Sequence, residues 1–375
     1  MGFALSGARI FDGNAMLGDM VVIVEGKYIA DVIAASALPK GIEVHDLNGG
    51  ILSAGFIDVQ VNGGGGALMN DSPTINTVKR IAESHRRFGT TGMLPTVITD
   101  SQTVIGQAVS AVQSALQDNV PGVLGIHIEG PFLDVARKGA HPPQFIRAIS
   151  EADVVQIEAL RCGIVMTTLA PNKVSSKYIG RLSRHGVLIS LGHAEATSEE
   201  AQIAITAGAR AFTHIYNAMS QLNGREAGMV GACLADAESF CGVIVDALHV
   251  DDTALKVLFA AKPKDRIMLI TDAMPPAAGG PDVFELQGRK ATRVGKRLQL
   301  EDGTLAGSIV TMDEAIRLTV HLGVSLEATL RMATLVPANF LRKENELGRI
   351  AKGFIASMVH LSDDLHVRQT WIDGR

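Results

Sequence analysis

Two spacings of apolar residues alternate through the middle of the chain. Short runs that are apolar almost throughout, such as 55–61 and 92–98, are separated by segments such as 75–89 and 198–209. The uniform runs predict strands that are buried on both faces, and the longer segments between them predict helices. In the segment 198–209, Ser198 is the expected N-cap and Gly208 the expected end of the helix. The alternation predicts a parallel sheet that is covered by helices.

Strand-like runs of this kind recur eight times between residues 55 and 272. They are predicted at 55–61, 92–98, 123–129, 163–170, 187–192, 211–216, 241–247 and 266–272. Eight strand–helix units over about 220 residues favour an α/β fold of the (β/α)8 TIM-barrel type. An open doubly wound sheet is the alternative, but no G-x-G-x-x-G motif follows the first run.

The two ends of the chain have a different pattern. Residues 20–33 form two apolar runs around a Glu25-Gly26-Lys27 turn, and strand-like runs recur at 356–361 and 367–372. We therefore expect residues 1–52 and 343–375 to form one small β-sandwich domain, with the barrel at 53–342. The segment 283–308 interrupts the pattern after the eighth strand and predicts a β-hairpin insertion.

Composition narrows the possible functions. The chain has 375 residues, of which 47% are hydrophobic, so a large core is expected. Its net charge of −5 argues against nucleic acid as the main partner. No signal peptide or membrane-spanning run is visible, so no membrane partner is expected. The three cysteines Cys162, Cys233 and Cys241 form no CxxC pair. This pattern is typical of the reducing cytoplasm.

Four residues that bind metals or transfer protons follow predicted strands. Glu129 ends the third strand, and His193, His214 and Asp272 end the fifth, sixth and eighth. Barrel enzymes carry their chemistry at these carboxyl ends. Two imidazoles and a carboxylate form a zinc site with one position left for water, whose pKa the metal would lower. Asp272 is then the expected general base and acid.

The first strand ends in Gln60 and Asn62 at positions where many metal-dependent hydrolases carry two histidines. Amide side chains are weaker ligands than imidazole for first-row metals. The sequence therefore predicts a vacant second-metal position and one divalent ion per subunit.

Three basic side chains lie on loops that should face the barrel mouth. His141 follows the third strand, Arg225 the sixth and His249 the seventh. Arginine suits phosphate through its two-pronged donor geometry. Together these residues favour a small anionic substrate.

Several motifs in family order resemble the N-acetylglucosamine-6-phosphate deacetylases of the amidohydrolase superfamily. They are GFIDVQVNGGGG, GIHIEGPFL, KGAHPP, LGHAEAT, THIYNAM, GREAGMVG, DALHVD, LITDAM and GTLAGS. The resemblance implies hydrolysis of the acetamide of N-acetylglucosamine 6-phosphate to glucosamine 6-phosphate and acetate. It implies zinc or iron on the Glu129, His193 and His214 side chains, with Asp272 moving the proton.

The same resemblance implies roles for residues around the substrate. His141 would polarise the acetyl carbonyl. The remaining substrate-binding residues would be Ala140, Asn217, Ala218, Arg225, His249, Leu305, Ala306 and Gly307. The family forms homodimers, in which Arg225 would reach the neighbouring subunit's site.

Alternatives remain open at this stage. Gly64 stands where the one-metal branch often has cysteine, which bears on metal preference. The galacto epimer of the substrate differs at one hydroxyl, and the loops do not distinguish the two sugars. A different amidohydrolase reaction and a non-catalytic sugar-phosphate sensor are two further hypotheses, because fold alone does not define function.

Overall fold

The computed structural model describes residues 2–375. Its centre is a sheet of eight parallel strands, each hydrogen-bonded to the next in chain order. These barrel strands, numbered one to eight below, are Phe56–Val61, Thr90–Ile98, Gly125–Glu129, Ile164–Leu169, Leu188–Leu191, Ala211–Phe212, Phe240–Ile244 and Ile267–Ile270. The predicted TIM barrel is confirmed.

Helices connect successive barrel strands. They are Ile75–Arg86, Gln102–Gln117, Glu151–Glu158, Ser176–Arg184, Ser198–Ala207, Gly228–Ala235 and Asp252–Ala261, followed after strand eight by Met312–His321, Leu326–Ala333 and Leu335–Phe340. One continuous apolar core fills the space within the barrel and between strands and helices. Most residues of these strands are apolar because both faces of the sheet are buried.

The first and eighth strands approach each other at the carboxyl end of the barrel. The amide of Asp272 donates to the carbonyl of Gln60, and the amide of Asn62 donates to the carbonyl of Ala273. Below them the Asp58 carboxylate accepts from the Thr271 hydroxyl at 2.5 Å. These bonds fix the two strand ends that carry the amide pair and the expected base.

Both chain ends contribute to two further sheets. A four-stranded sheet contains Tyr28–Ala34, Met20–Glu25, Phe3–Ser6 and Glu43–Asp46, and a five-stranded sheet contains Val367–Trp371, Met358–Leu361, Ile51–Ala54, Arg9–Phe11 and Met16–Leu17. Apolar residues of both sheets form a separate core that includes Leu5, Leu52 and Trp371. The expected pairing of the termini is therefore observed, and the hairpin at Met20–Ala34 is confirmed.

Three local predictions were wrong. The segment after strand eight contains three antiparallel strands, Val283–Leu286, Arg289–Val294 and Arg297–Leu300, where a two-stranded hairpin was expected. Strand six ends at Phe212, whereas it was predicted to run to residue 216. The left-handed φ of 30° at His214 is incompatible with a continued strand. The helix predicted from Ser198 is capped by Thr197, whose hydroxyl and backbone amide pair with Glu200 in a capping box. Its predicted end at Gly208 is confirmed.

Within residues 2–375, every helix is too short or too polar to cross a membrane.

Candidate active site

A cavity of about 420 Å³ opens at the carboxyl ends of the barrel strands. This volume is in the usual range for a small-molecule site. Its walls bring together most of the residues that the sequence singled out. They include Glu129, Ala140, His141, His193, His214, Asn217, Ala218, His249, Asp272, Leu305 and Gly307.

Glu129, His193 and His214 converge on one point of this cavity. Their ligand atoms all lie within 4.8 Å of one another. Glu129 Oε1 is 3.2 Å from His193 Nε2 and 3.1 Å from His214 Nε2, and the two imidazole nitrogens are 3.0 Å apart. All three side chains are buried.

The hydrogen-bond partner of His193 Nδ1, the ring nitrogen that points away from Glu129, shows why this point suits a cation. His193 Nδ1 is 2.9 Å from the carbonyl oxygen of Arg137, which can only accept a hydrogen bond. A neutral ring therefore carries its proton on Nδ1 and directs the Nε2 lone pair towards Glu129. A lone pair and a carboxylate repel each other unless a positive charge lies between them. The donor set of two imidazoles and one carboxylate fits a divalent metal such as zinc or iron.

The backbone at these positions has an uncommon conformation. His193, His214 and Asp272 have φ values of 49°, 30° and 50°, in the left-handed region that non-glycine residues rarely occupy. Each is the second residue after the end of its barrel strand. The conformation turns the chain so that the side chain projects into the mouth. Strain of this kind is concentrated at functional sites.

The electrostatics of the two carboxylates differ. Burial would raise the pKa of Glu129, but hydrogen bonds with His193 and His214 bring that pKa well below its usual range. Burial, followed by the nearby Glu129 charge, raises the pKa of Asp272 to about 6. Glu129 is thus held ionised, as a metal ligand must be, and Asp272 can exchange a proton near neutral pH.

The amides of Gln60 and Asn62 occupy the space between these carboxylates. Gln60 Nε2 donates to Glu129 Oε1 at 3.1 Å and to Asp272 Oδ1 at 3.2 Å, and Asn62 Nδ2 donates to Asp272 Oδ1 at 2.6 Å. The amide N–H groups thus stabilise the two neighbouring carboxylates by hydrogen bonding, a role that a second cation would otherwise fill.

Two further histidines line the cavity with their Nδ1 atoms already engaged. His249 Nδ1 is 2.7 Å from the Asp246 carboxylate, and His141 Nδ1 is 2.8 Å from the Thr99 hydroxyl. Burial, and then His193, bring the pKa of His141 well below its usual range. The two rings are held in fixed orientations on different walls of the cavity.

Two residues expected at the substrate lie outside the cavity wall of their own chain. Ala306 is fully buried behind Leu305 in the core of the inserted sheet. Arg225 lies on the exposed loop 221–226 and does not line the cavity. Arg225 therefore does not reach the cavity of its own chain in this structure.

Some lining residues were missed by sequence reasoning. Arg137 lines the cavity and pairs with Glu195, and Thr304 and Met274 add a hydroxyl and a thioether. Arg137 stands four residues before His141, in the same loop after strand three. The position of Thr99 just after strand two would have been the signal for its contact with His141.

Comparison with known proteins agrees with this geometry. A model described as "Amidohydrolase family" matches residues 51–375. The chain belongs to the amidohydrolase family. A second model, described as "NagA composite domain", matches residues 2–52 of this amidohydrolase.

Individual relatives extend over nearly the whole amidohydrolase chain. An N-acetylgalactosamine-6-phosphate deacetylase of Shewanella sp. (strain ANA-3) is 44% identical over 88% of this chain and 83% of its own. An N-acetylglucosamine-6-phosphate deacetylase of Haemophilus influenzae is 34% identical over 100% and 99% of the two chains. The crystal structure of the Pasteurella multocida N-acetylglucosamine-6-phosphate deacetylase superposes with a TM-score of 0.97 at 34% identity, covering 100% and 99%.

Proposed function

We propose that this amidohydrolase removes the acetyl group from N-acetylglucosamine 6-phosphate, giving glucosamine 6-phosphate and acetate. The observation that carries the proposal is the convergence of Glu129, His193 and His214 beside Asp272 in one cavity. The names and high coverage of the relatives support the substrate class.

We further propose one zinc or iron ion per subunit, held by Glu129, His193 and His214. When bound, such an ion lowers the pKa of water and polarises a carbonyl oxygen. Asp272 accepts the proton of the attacking water and returns it to the leaving nitrogen. Gln60 and Asn62 hold the Asp272 carboxylate in place, so that its second oxygen remains available to the substrate.

The other cavity residues divide between the two ends of the substrate. His141 donates to the acetyl oxygen as negative charge develops on it. His249, Asn217 and Ala218 bind the phosphate and sugar, while Ala140 and the segment Leu305–Gly307 cover them. The carboxylate of Asp246 orients His249 towards the phosphate end.

We also propose a cytoplasmic homodimer in which Arg225 reaches the cavity of the partner subunit. Its support is the exposed loop 221–226, which presents both Arg225 and the apolar Leu222, 53% exposed. Arginine is among the residues that are enriched at protein–protein interfaces.

The galacto epimer is the second candidate substrate. The Shewanella relative, which carries the galactosamine name, is 44% identical, against 34% for the Haemophilus relative with the glucosamine name. The choice between them depends on contacts to the sugar C4 hydroxyl.

One experiment tests these proposals together. Protein loaded with zinc or with iron is assayed for acetate release from both 6-phosphorylated N-acetylhexosamines and from unphosphorylated N-acetylglucosamine. We expect rapid release from a phosphorylated sugar and a kcat/KM at least about a hundredfold lower without phosphate, since charged contacts are lost. The ratio of kcat/KM for the two epimers identifies the preferred sugar. Metal-loaded protein that releases acetate from neither epimer would overturn the proposal.

A further inference from the structure

His141 and His193 lie side by side, and their Nδ1 atoms meet different kinds of hydrogen-bonding partner. Their ring centroids are 4.3 Å apart in an edge-to-face arrangement. The Nδ1 of His193 faces a carbonyl oxygen, which requires a proton on the nitrogen. The Nδ1 of His141 faces the hydroxyl of Thr99, which can donate. A donating partner leaves the proton of a neutral ring on the other nitrogen.

The two hydrogen-bonding contacts of the Thr99 hydroxyl differ in length. Its oxygen is 2.8 Å from His141 Nδ1 and 3.3 Å from the carbonyl oxygen of Glu129. The hydroxyl has one proton, and the shorter contact is the stronger hydrogen bond. A neutral His141 can donate from Nε2 to the acetyl oxygen, as proposed above, only if its Nδ1 accepts a hydrogen bond. That role therefore assigns the Thr99 proton to the 2.8 Å contact with His141, and the longer contact with the Glu129 carbonyl is its competitor.

We propose that Thr99 is a positioning residue that fixes His141 in the tautomer protonated on Nε2, the nitrogen that remains for the substrate. This inference rests on the proposed function, in which His141 donates a hydrogen bond to the acetyl oxygen. A ring protonated on Nδ1 would direct a lone pair at that oxygen and oppose the reaction. Thr99 and the Arg137 carbonyl thus give two adjacent histidines opposite tautomers and hence opposite roles.

The inserted sheet, defined as residues 283–300, holds both partners of this hydrogen bond from outside the barrel. Gln287 Nε2 donates to the carbonyl oxygen of Thr99 at 2.6 Å, and Arg289 donates to the carbonyl oxygen of Ala140. Thr99 is fully buried and His141 is 3% exposed, so water cannot replace the hydroxyl. The support of both residues by one element keeps their contact short.

The test combines nitrogen NMR with kinetics on the full, zinc-loaded protein. Histidine labelled with ¹⁵N distinguishes the two tautomers by the chemical shift of the unprotonated nitrogen, and the His141 signals are identified by their loss in His141→Gln. We expect the Nε2-protonated form in the wild type and in Thr99→Ser. We expect the Nδ1-protonated form to appear in Thr99→Val, because valine offers no donor.

Kinetics supply the second readout. Thr99→Val should lower kcat about tenfold or more with KM changed less than about threefold, since the bond acts in the transition state. Thr99→Ser should restore most of kcat. The matched control is Thr319→Val, which removes a buried hydroxyl bonded to the carbonyl of Ala315 in a distant helix. It should change neither the tautomer nor kcat.

Two results would overturn the inference: a wild-type His141 protonated on Nδ1, or a Thr99→Val protein with an unchanged tautomer. The wild-type spectrum decides the question even if Thr99→Val does not fold. The NMR result does not depend on the substrate. A wrong substrate assignment would therefore appear as absent turnover with the expected tautomer, which separates failure of the proposed function from failure of this inference.

Discussion

Asp272 combines burial with a pair of amide donors, and this combination makes its protonation state testable. Burial, then the Glu129 charge, raises its pKa to about 6. A general base acts as the carboxylate, which predominates above that pKa. We therefore expect kcat/KM to rise as the pH increases from 5 to 7 in the metal-saturated protein. Asp272→Asn should lower kcat about 10²- to 10⁴-fold at unchanged metal content. A rate that falls over this pH range would contradict the assignment.

The amides at the end of strand one allow a prediction about metal stoichiometry. Gln60 and Asn62 face the carboxylates of Glu129 and Asp272 within hydrogen-bonding distance. In the double variant Gln60→His/Asn62→His, imidazole nitrogens replace amide donors beside the same carboxylates, a donor set that suits zinc. Elemental analysis after zinc loading and dialysis should give about one ion per chain in the wild type and about two in the variant.

Gln60→Leu/Asn62→Leu is the matched control for that variant, because it removes the amides without adding ligands. It should not exceed one ion per chain. Two ions in the wild type, or one in the histidine variant, would show that the amide pair does not determine the stoichiometry.

At the scale of elements, the inserted sheet connects two walls of the cavity. Arg289 on its second strand donates to the carbonyl oxygen of Ala140, and the chain leaving its third strand returns through Thr304 and Leu305 to the cavity. Replacement of Arg289 by Gln should lower kcat/KM about tenfold, since a hydrogen bond from a charged donor contributes about 1.5–3 kcal/mol.

The control for Arg289 lies on the same strand. Arg293 is exposed and hydrogen-bonds within its own hairpin, so Arg293→Gln should leave kcat/KM unchanged. Equal losses in the two variants, measured by acetate release, would show that the sheet acts through general stability. Thermal unfolding of both variants is the necessary companion measurement.

The elements also show what the sequence can and cannot predict. Strands that are apolar on both faces form recognisable runs in the sequence. The eight strands and the candidate ligands that follow them could therefore be located. The inserted sheet was underestimated because its residues are partly exposed and its third strand has only four residues. Contacts such as Thr99 with His141 join residues 42 positions apart. Such contacts depend on tertiary packing that no local pattern records.

At the scale of the whole molecule, the two ends of the chain pair with each other and contact the first strand and helix of the barrel. Strand Met358–Leu361 pairs with Ile51–Ala54, which leads directly into barrel strand one, and Trp371 is buried in the core between the two terminal sheets. Arg86 at the end of the first barrel helix donates to the carbonyl oxygens of Thr370 and Arg375. The small domain therefore positions strand one, and with it Gln60 and Asn62, from the side opposite the cavity.

The assembly determines whether Arg225 can take part in the reaction at all, because its own chain leaves it outside the cavity. In the proposed homodimer, mixing subunits that carry Arg225→Ala with subunits that carry Asp272→Asn completes one site per heterodimer. That site combines the intact Asp272 of the first chain with the intact Arg225 of the second. Random pairing of equal amounts should restore about a quarter of wild-type activity from two nearly inactive parents. If Arg225 instead serves the cavity of its own subunit, every site in the mixture lacks one of the two residues, and co-expression followed by acetate assay will show no recovery.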